Sequence, residues 1–256
     1  MSDTQDTAAQ YFCGREAKRK DAFSGIWGDE LHAVFKDVAP YYDVASNVAS
    51  LGMCKTWRGK FLSAVDLKPG DEVLDVCAGT NAVGIGLLKR QPAARVTAID
   101  RSQEMQDVGQ QIARKNGVEI KSVVGDVHRL PFPDNSFDVA TLQWASRHLQ
   151  IVDVFSEVFR VLKPGGRFHH HDMLRPENPV VQSLYSTYLK GCVSATALIF
   201  GSGVKARSCR NYFVEAIEMF YSSRELTELL EHVGFSPVTA EDAIGGVMAN
   251  HRATKP

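Results

Sequence analysis

The chain has 256 residues, 44% of them hydrophobic, and sets 29 Lys and Arg against 30 Asp and Glu for a formal net charge of −1. That length suits one α/β domain with appendages, and the near-neutral balance gives no reason to expect nucleic acid or an anionic membrane as a partner. No apolar run is long enough to span a bilayer, the opening MSDTQDTAAQYF lacks a signal pattern, and the scattered Cys13, Cys54, Cys77, Cys192 and Cys209 form no CxxC pair, so a cytoplasmic protein without disulfide framework or zinc site is expected, with at most peripheral membrane contact.

Residues 1–28 are polar and end in Ser24-Gly25-Ile26-Trp27-Gly28; they read as an appendage, partly ordered at best, with Phe12 and Trp27 as docking points. Residues 29–256 form the main domain. Its first part, to residue 64, is helical in pieces, carrying Tyr41-Tyr42-Asp43 and Trp57 close to where the core begins. Val73 to Val76 is an apolar run of the kind found in strands buried on both faces of a parallel sheet. Ala78-Gly79-Thr80-Asn81 then turns, Ala82 to Arg90 continues as a helix, and Ala94 to Ile99 is a second strand closed by Asp100. An acid at that place, about 20 residues past a glycine turn, grips ribose hydroxyls in doubly wound folds. The turn lacks the three glycines of a dinucleotide site and the lysine of a P-loop, so an adenosyl ligand without a pyrophosphate, such as S-adenosylmethionine (SAM), fits it best.

Ser102 to Lys115 is a helix ended by Asn116-Gly117. Val118 to Val124 is a third strand, and Asp126 follows it at the sheet's carboxyl end, where ligands bind in open α/β sheets and where a carboxylate can accept the adenine amino group. Val139 to Leu142 is a fourth strand and Ile151 to Leu162 an amphipathic helix. Lys163-Pro164-Gly165-Gly166 turns the chain into a fifth strand, Arg167-Phe168-His169-His170-His171-Asp172. Residues 177–221 form a partly helical insertion with Tyr185, Tyr188, Phe200, Tyr212, Phe220 and Tyr221. Ser222 and Glu225 form a capping box for a helix ended by Gly234, and two strands follow near 236–240 and 246–251.

In combination, YYDVASNVASLGMCKTW, LDVCAGT, LPFPDNSFD, RVLKPGGR, NYFVEAI and GVMANHR make the chain, from about Val34 to Arg252, similar to class I SAM-dependent methyltransferases. More narrowly it resembles the ubiquinone/menaquinone C-methyltransferase family. The resemblance implies a doubly wound, Rossmann-like sheet of seven mostly parallel strands, the last antiparallel, with a helical layer from the N-terminal part. It implies SAM as cofactor, held by Asp75, Gly79, Thr80, Asp100, Asp126 and Val127, with Cys77, Arg101 and Gln143 beside them. It further implies Arg147, Tyr42 and Asp43 at the reacting centre and Tyr212 on the substrate side, with a lipid-soluble quinol as the small-molecule partner. No metal is expected.

The chain departs from the family at Asn81, where glycine is common, and at His148, where asparagine follows the arginine. It departs again at Ser46-Asn47, and at the histidine run, where the family's strand is aliphatic. The implied reaction methylates a carbon of a reduced quinone ring after loss of a phenolic proton. Arg147, always protonated, would stabilise the oxyanion or orient a water, and His148, with its suitable intrinsic pKa, would be either the base or a hydrogen-bonded loop histidine. His171 and Asp172, at the end of strand five, would face substrate. Two alternatives stay open: another acceptor or transferred group, as in quinone amination, and a domain that binds SAM or a quinone without turnover.

Overall fold

The computed structural model describes residues 2–31, 33, 42–50, 52–199 and 210–256. Its centre is one seven-stranded sheet in the order β3-β2-β1-β4-β5-β7-β6. The strands are β1 (Glu72–Val76), β2 (Arg95–Asp100), β3 (Lys121–Val124), β4 (Phe137–Gln143), β5 (Leu162–Met173), β6 (Val238–Ala243) and β7 (Met248–Thr254). The first five pair in parallel, and β7 runs antiparallel to both β5 and β6. This is the doubly wound architecture expected, with the last strand reversed.

Alternation along β1 builds a core on each side of the sheet. Val73 joins Phe61, Ile85, Leu87 and Val96 on one face, while Leu74 and Val76 join Phe155, Val158, Leu229 and Phe235 on the other. Successive strand side chains point to opposite faces, so a strand covered on both sides is apolar on both faces except where a buried polar group has its own partner. The covering helices are α3 (Met53–Ala64), α4 (Ala82–Arg90) and α5 (Gln103–Lys115), then α6 (Ile151–Val161) and α9 (Ser223–Val233). Helix α2 (Tyr42–Ala49) and the pair α7 (Pro179–Ile199) and α8 (Arg210–Glu218) complete the described helices of the main body. The capping box at Ser222 and Glu225 is present, and Gly234 ends α9 at φ +117°.

Three elements differ from the sequence reading. The Lys163–Gly166 stretch does not leave the sheet. It remains in β5 as an irregularity between the pairs Phe137–Leu162 and Val139–Arg167, with Gly165 at φ +76° and its N–H bonded to the Lys255 carbonyl. Strand β3 starts later than expected because the Val118 N–H still returns to the Ala113 carbonyl in the cap of α5. The N-terminal stretch is no loose appendage: Ser2–Gly25 is a 24-residue helix, α1, whose Phe12, Glu16, Arg19 and Phe23 are all buried. Their spacing of four, three and four residues makes one helical face, and that face lies on the sheet's covering helices.

Within the stretch 177–221, the described residues form α7 and α8. Tyr212, Phe220 and Tyr221 are buried in it, and Tyr188 is exposed. Phe200 lies outside the described residues, as does the side chain of Tyr42.

Candidate active site

The carboxyl ends of β1, β2, β3 and β4 open onto a cavity of about 670 Å³, within the range of small-ligand sites. Its walls come from the turn after β1 (Cys77, Gly79, Thr80), from Asp100 and Arg101 after β2, and from Asp126 and Val127 after β3. Gln143, Trp144 and His148 close it from the β4 side.

Two of these walls hold unusual backbone. Cys77 and Trp144 take φ +54° and +60°, and Asn81, just behind Thr80, takes φ +60°. Non-glycine residues in the left-handed region cost on the order of 1–3 kcal/mol each and gather at functional sites. Asparagine tolerates that region better than most residues, so Asn81 can hold the turn at φ +60°. The turn is also clasped from outside: a Cβ on Gly109 of α5 would sit 2.9 Å from the Thr80 carbonyl carbon, so only glycine lets that helix approach.

Asp100 accepts the Gly79 N–H with one oxygen (2.8 Å) and the Ser102 N–H with the other (2.9 Å). A carboxylate has roughly four acceptor sites, so capacity remains for two hydroxyls. Burial pushes its pKa up. Asp75 lines the same wall, but its carboxylate is spent on the Gly84 N–H (3.2 Å) and the Thr141 hydroxyl (2.8 Å). It ties the start of α4 to β4, and burial raises it to about 7. Asp126 is exposed and bonded to His128 Nδ1 at 2.6 Å, with the His128 N–H and ring holding its carboxyl below the usual range against the opposing effect of burial.

Across the cavity floor runs a polar chain that joins separate elements. Thr80 Oγ1 donates to Asp43 (3.0 Å), and Arg58 donates to the other Asp43 oxygen (3.3 Å) and to Gln143 Oε1 (3.3 Å). Gln143 Nε2 meets His171 Nδ1 at 2.9 Å, and the Arg58 guanidinium lies 5.2 Å from the Trp144 ring centre. Asp43 and His171 are therefore linked to the cavity through Arg58 and Gln143. Arg58 and Trp144 carried no signal beyond their neighbours, although Trp144 sits at the carboxyl end of a parallel strand, where ligands bind.

Arg147 was expected to face the reacting centre, and the structure turns it away. Its Nη1 donates to Asp172 (2.6 Å) and to the Trp144 carbonyl (3.1 Å), and the side chain is buried off the cavity wall. Asp172, expected on the substrate side, is 0% exposed and also accepts the Ser146 N–H (2.8 Å). A buried guanidinium needs such a carboxylate, so the two select each other rather than a ligand. Tyr212, too, is buried; its hydroxyl lies 2.6 Å from His148 Nδ1 and accepts from Trp27 Nε1 at 3.0 Å. His171 packs on Phe61, with ring centres 5.4 Å apart, instead of facing the cavity.

His148 does reach the wall. Burial, reinforced by the charges of Arg147 and Arg19, holds its pKa well below 6.5, so its imidazole is neutral at pH 7.

The ubiE/COQ5 methyltransferase family model matches residues 25–255. This chain belongs to the ubiE/COQ5 methyltransferase family. It is 34% identical to a demethylmenaquinone methyltransferase of Paenarthrobacter aurescens, over 89% of this chain and 87% of that one. It is also 31% identical to the mitochondrial 2-methoxy-6-polyprenyl-1,4-benzoquinol methylase of Bos taurus, over 89% and 79%. Among solved structures, a SAM-dependent methyltransferase from Aquifex aeolicus superposes with a TM-score of 0.56 at 22% identity, covering 78% of this chain and 89% of that one. A Haemonchus contortus phosphoethanolamine N-methyltransferase solved with S-adenosylhomocysteine gives 0.60 at 16%, covering 80% and 53%. These last two likenesses are of fold. The ubiE/COQ5 member described here is a SAM-dependent methyltransferase, and its cavity is suited to that cofactor: Asp100 keeps acceptor capacity for a ribose, and the cavity runs from Asp126 to the cation of Arg58. Among the described residues no helix is long and apolar enough to cross a membrane.

Proposed function

We propose that this enzyme methylates a ring carbon of a reduced polyprenyl quinone precursor, with His148 as the base. The observation that carries the reading is a neutral, buried imidazole in the wall of the cavity that also contains Asp100 and Asp126. The names of its relatives, one acting on demethylmenaquinone and one on a methoxy-polyprenyl-benzoquinol, supply the acceptor class.

Asp100 would hold the ribose hydroxyls, Asp126 and Val127 the adenine end, and Arg58 the carboxylate of the amino-acid end. SAM supplies an electrophilic methyl group when bound. His148 would take the phenolic proton, the electron pair left on oxygen would make the adjacent ring carbon nucleophilic towards the methyl group, and that carbon would then give up its own hydrogen as a proton, so that the ring regains its aromatic hydroquinone form. Tyr212, bonded to His148 Nδ1 at 2.6 Å, fixes the orientation of the imidazole. General-base help of this kind contributes about 10²- to 10⁴-fold. The exposed stripe Val180, Leu184 and Tyr188 on α7, four residues apart and so on one face, supports peripheral contact with a membrane that holds the tail. The histidine strand does not line the cavity, which leaves a different transferred group without support.

The test is mass spectrometry after incubating enzyme and SAM with short-chain quinols under reducing conditions. Gain of one methyl on a demethylnaphthoquinol or a methoxybenzoquinol is expected; no product despite measured SAM binding would end the proposal. His148→Asn should lower kcat by about 100-fold or more, and unchanged turnover would remove His148 as base. Arg58 has its own signature. Arg58→Met should weaken SAM and S-adenosylhomocysteine about tenfold by calorimetry, as loss of a charge-assisted bond requires, and leave 5′-methylthioadenosine, which lacks the carboxylate, unchanged. An equal loss for all three would mean that Arg58 only shapes the site.

A further inference from the structure

Helix α1 lies almost wholly outside the stretch matched by the family model, which begins at residue 25. Its buried face nevertheless reaches the loop that carries His148. Arg19 is 0% exposed; its Nη2 donates to the Arg147 carbonyl at 2.9 Å and its Nη1 to Glu16 Oε1 at 2.5 Å. The guanidinium is packed among the rings of Trp27 (5.3 Å) and Phe220 (4.9 Å). Glu16 in turn accepts the Ile151 N–H (2.8 Å) and the Tyr221 hydroxyl (3.0 Å).

The two side chains therefore grip both ends of the segment 147–151. The residues between, His148, Leu149 and Gln150, all line the cavity. Just past α1, Trp27 adds a third hold through the Tyr212 hydroxyl, which is bonded to His148. Lys20, Ser24 and Trp27 themselves form part of the cavity wall.

An enclosed ion pair is a poor way to attach a helix, because desolvation offsets its attraction and apolar residues of similar size hold as well or better. What the pair supplies and an apolar pair does not is direction: one bond to the Arg147 carbonyl, one to the Ile151 N–H. We propose that α1 is a clamp for the catalytic loop, with Glu16 and Arg19 as positioning residues that fix the Arg147–Ile151 segment and hold His148 at the cavity wall. The proposal rests on the reading of His148 as base.

The test uses the full chain with Glu16→Leu and Arg19→Met introduced together, so that neither charge is stranded, and Arg19→Lys as a second variant. The double variant is expected to keep the wild-type melting temperature within a few degrees, to bind SAM within threefold of wild type by calorimetry, and to lose at least tenfold in kcat. Arg19→Lys, which keeps the charge for Glu16 and loses the fork that spans both acceptors, should lie between the two. A stable double variant with wild-type kcat overturns the proposal, as does a loss of SAM affinity equal to the loss of kcat. Should the double variant not fold, Arg19→Lys decides, and wild-type kcat there overturns it. His148→Ala is measured alongside: if it abolishes turnover while the clamp variants do not, the clamp alone fails, and if His148→Ala turns over normally, both readings fail.

Discussion

Asp172→Ala is expected to destabilise the protein by about 3–5 kcal/mol and to abolish turnover at 37 °C. Asp172 is 0% exposed and accepts from Arg147 Nη1 (2.6 Å), from the Ser146 N–H (2.8 Å) and from the Met173 N–H (2.7 Å). The Ser146 hydroxyl lies against the same carboxylate, and against His170 Nε2 at 2.9 Å. Removing the carboxylate strands the Arg147 guanidinium in a buried site, which is the costly half of breaking such a pair. It also releases the Ser146–His148 turn from β5, so the damage reaches His148 even though Asp172 touches no cavity. Urea denaturation separates the contributions. Asp172→Asn keeps the shape and an acceptor but leaves the charge unpaired, so most of the loss should persist. Arg147→Met in the Asp172→Leu background should restore much of the stability without restoring activity. A loss below 1 kcal/mol for Asp172→Ala would mean that the guanidinium finds water or another partner.

Legibility in the sequence followed the physics of each part. The sheet, the glycine turn and Asp100 were readable because doubly covered strands are largely apolar on both faces and a ribose acid must sit at a strand end. Roles inside the site were less readable. Asp172 and Arg147 are both at places where substrate contacts are expected, but nothing in a one-dimensional pattern says that a cation and an acid 25 residues apart will consume each other. The α1 helix was missed for a related reason. Its inward stripe reads Phe12, Glu16, Arg19, Phe23, and two charges on a buried face defeat any reading based on hydrophobic period. The resemblance located His148 as a departure, while its support by Tyr212 and Trp27 depends on contacts across 64 and 185 residues.

The histidine run carries the second large prediction. His169, His170, His171 and His251 are buried on β5 and β7, His170 facing His251 across the antiparallel pair. Burial holds each below 6.5, His169 and His171 at about 4, with Arg252 and Arg167 adding to the effect at His169. His148 is lowered in the same way. A histidine whose folded pKa lies below its unfolded value binds fewer protons when folded, so its stabilising contribution is whole above about pH 7 and declines as pH falls through 6.5. For His169 and His171 the decline ends near pH 4. For these two, a shift of about 2.5 units corresponds to about 3 kcal/mol per group once the pH is below their folded pKa, a large part of the 5–15 kcal/mol of a typical domain; His148, His170 and His251 act in the same direction. Asp75, raised to about 7, and Asp100, also raised, act in the opposite sense between pH 4 and 7 and offset part of this. The protein should therefore lose stability as pH falls from 7 towards 4, the window between the unfolded and folded values of His169 and His171. His169→Val, which restores the aliphatic character of the family's strand at a ring whose Nε2 has no hydrogen-bond partner, should lessen that loss. Its advantage over wild type should grow from pH 7.5 to pH 5 by about 2 kcal/mol. Parallel stability-against-pH curves for the two proteins would show that His169 is protonated equally in the folded and unfolded states, and that the strand's histidines are not the source of acid lability.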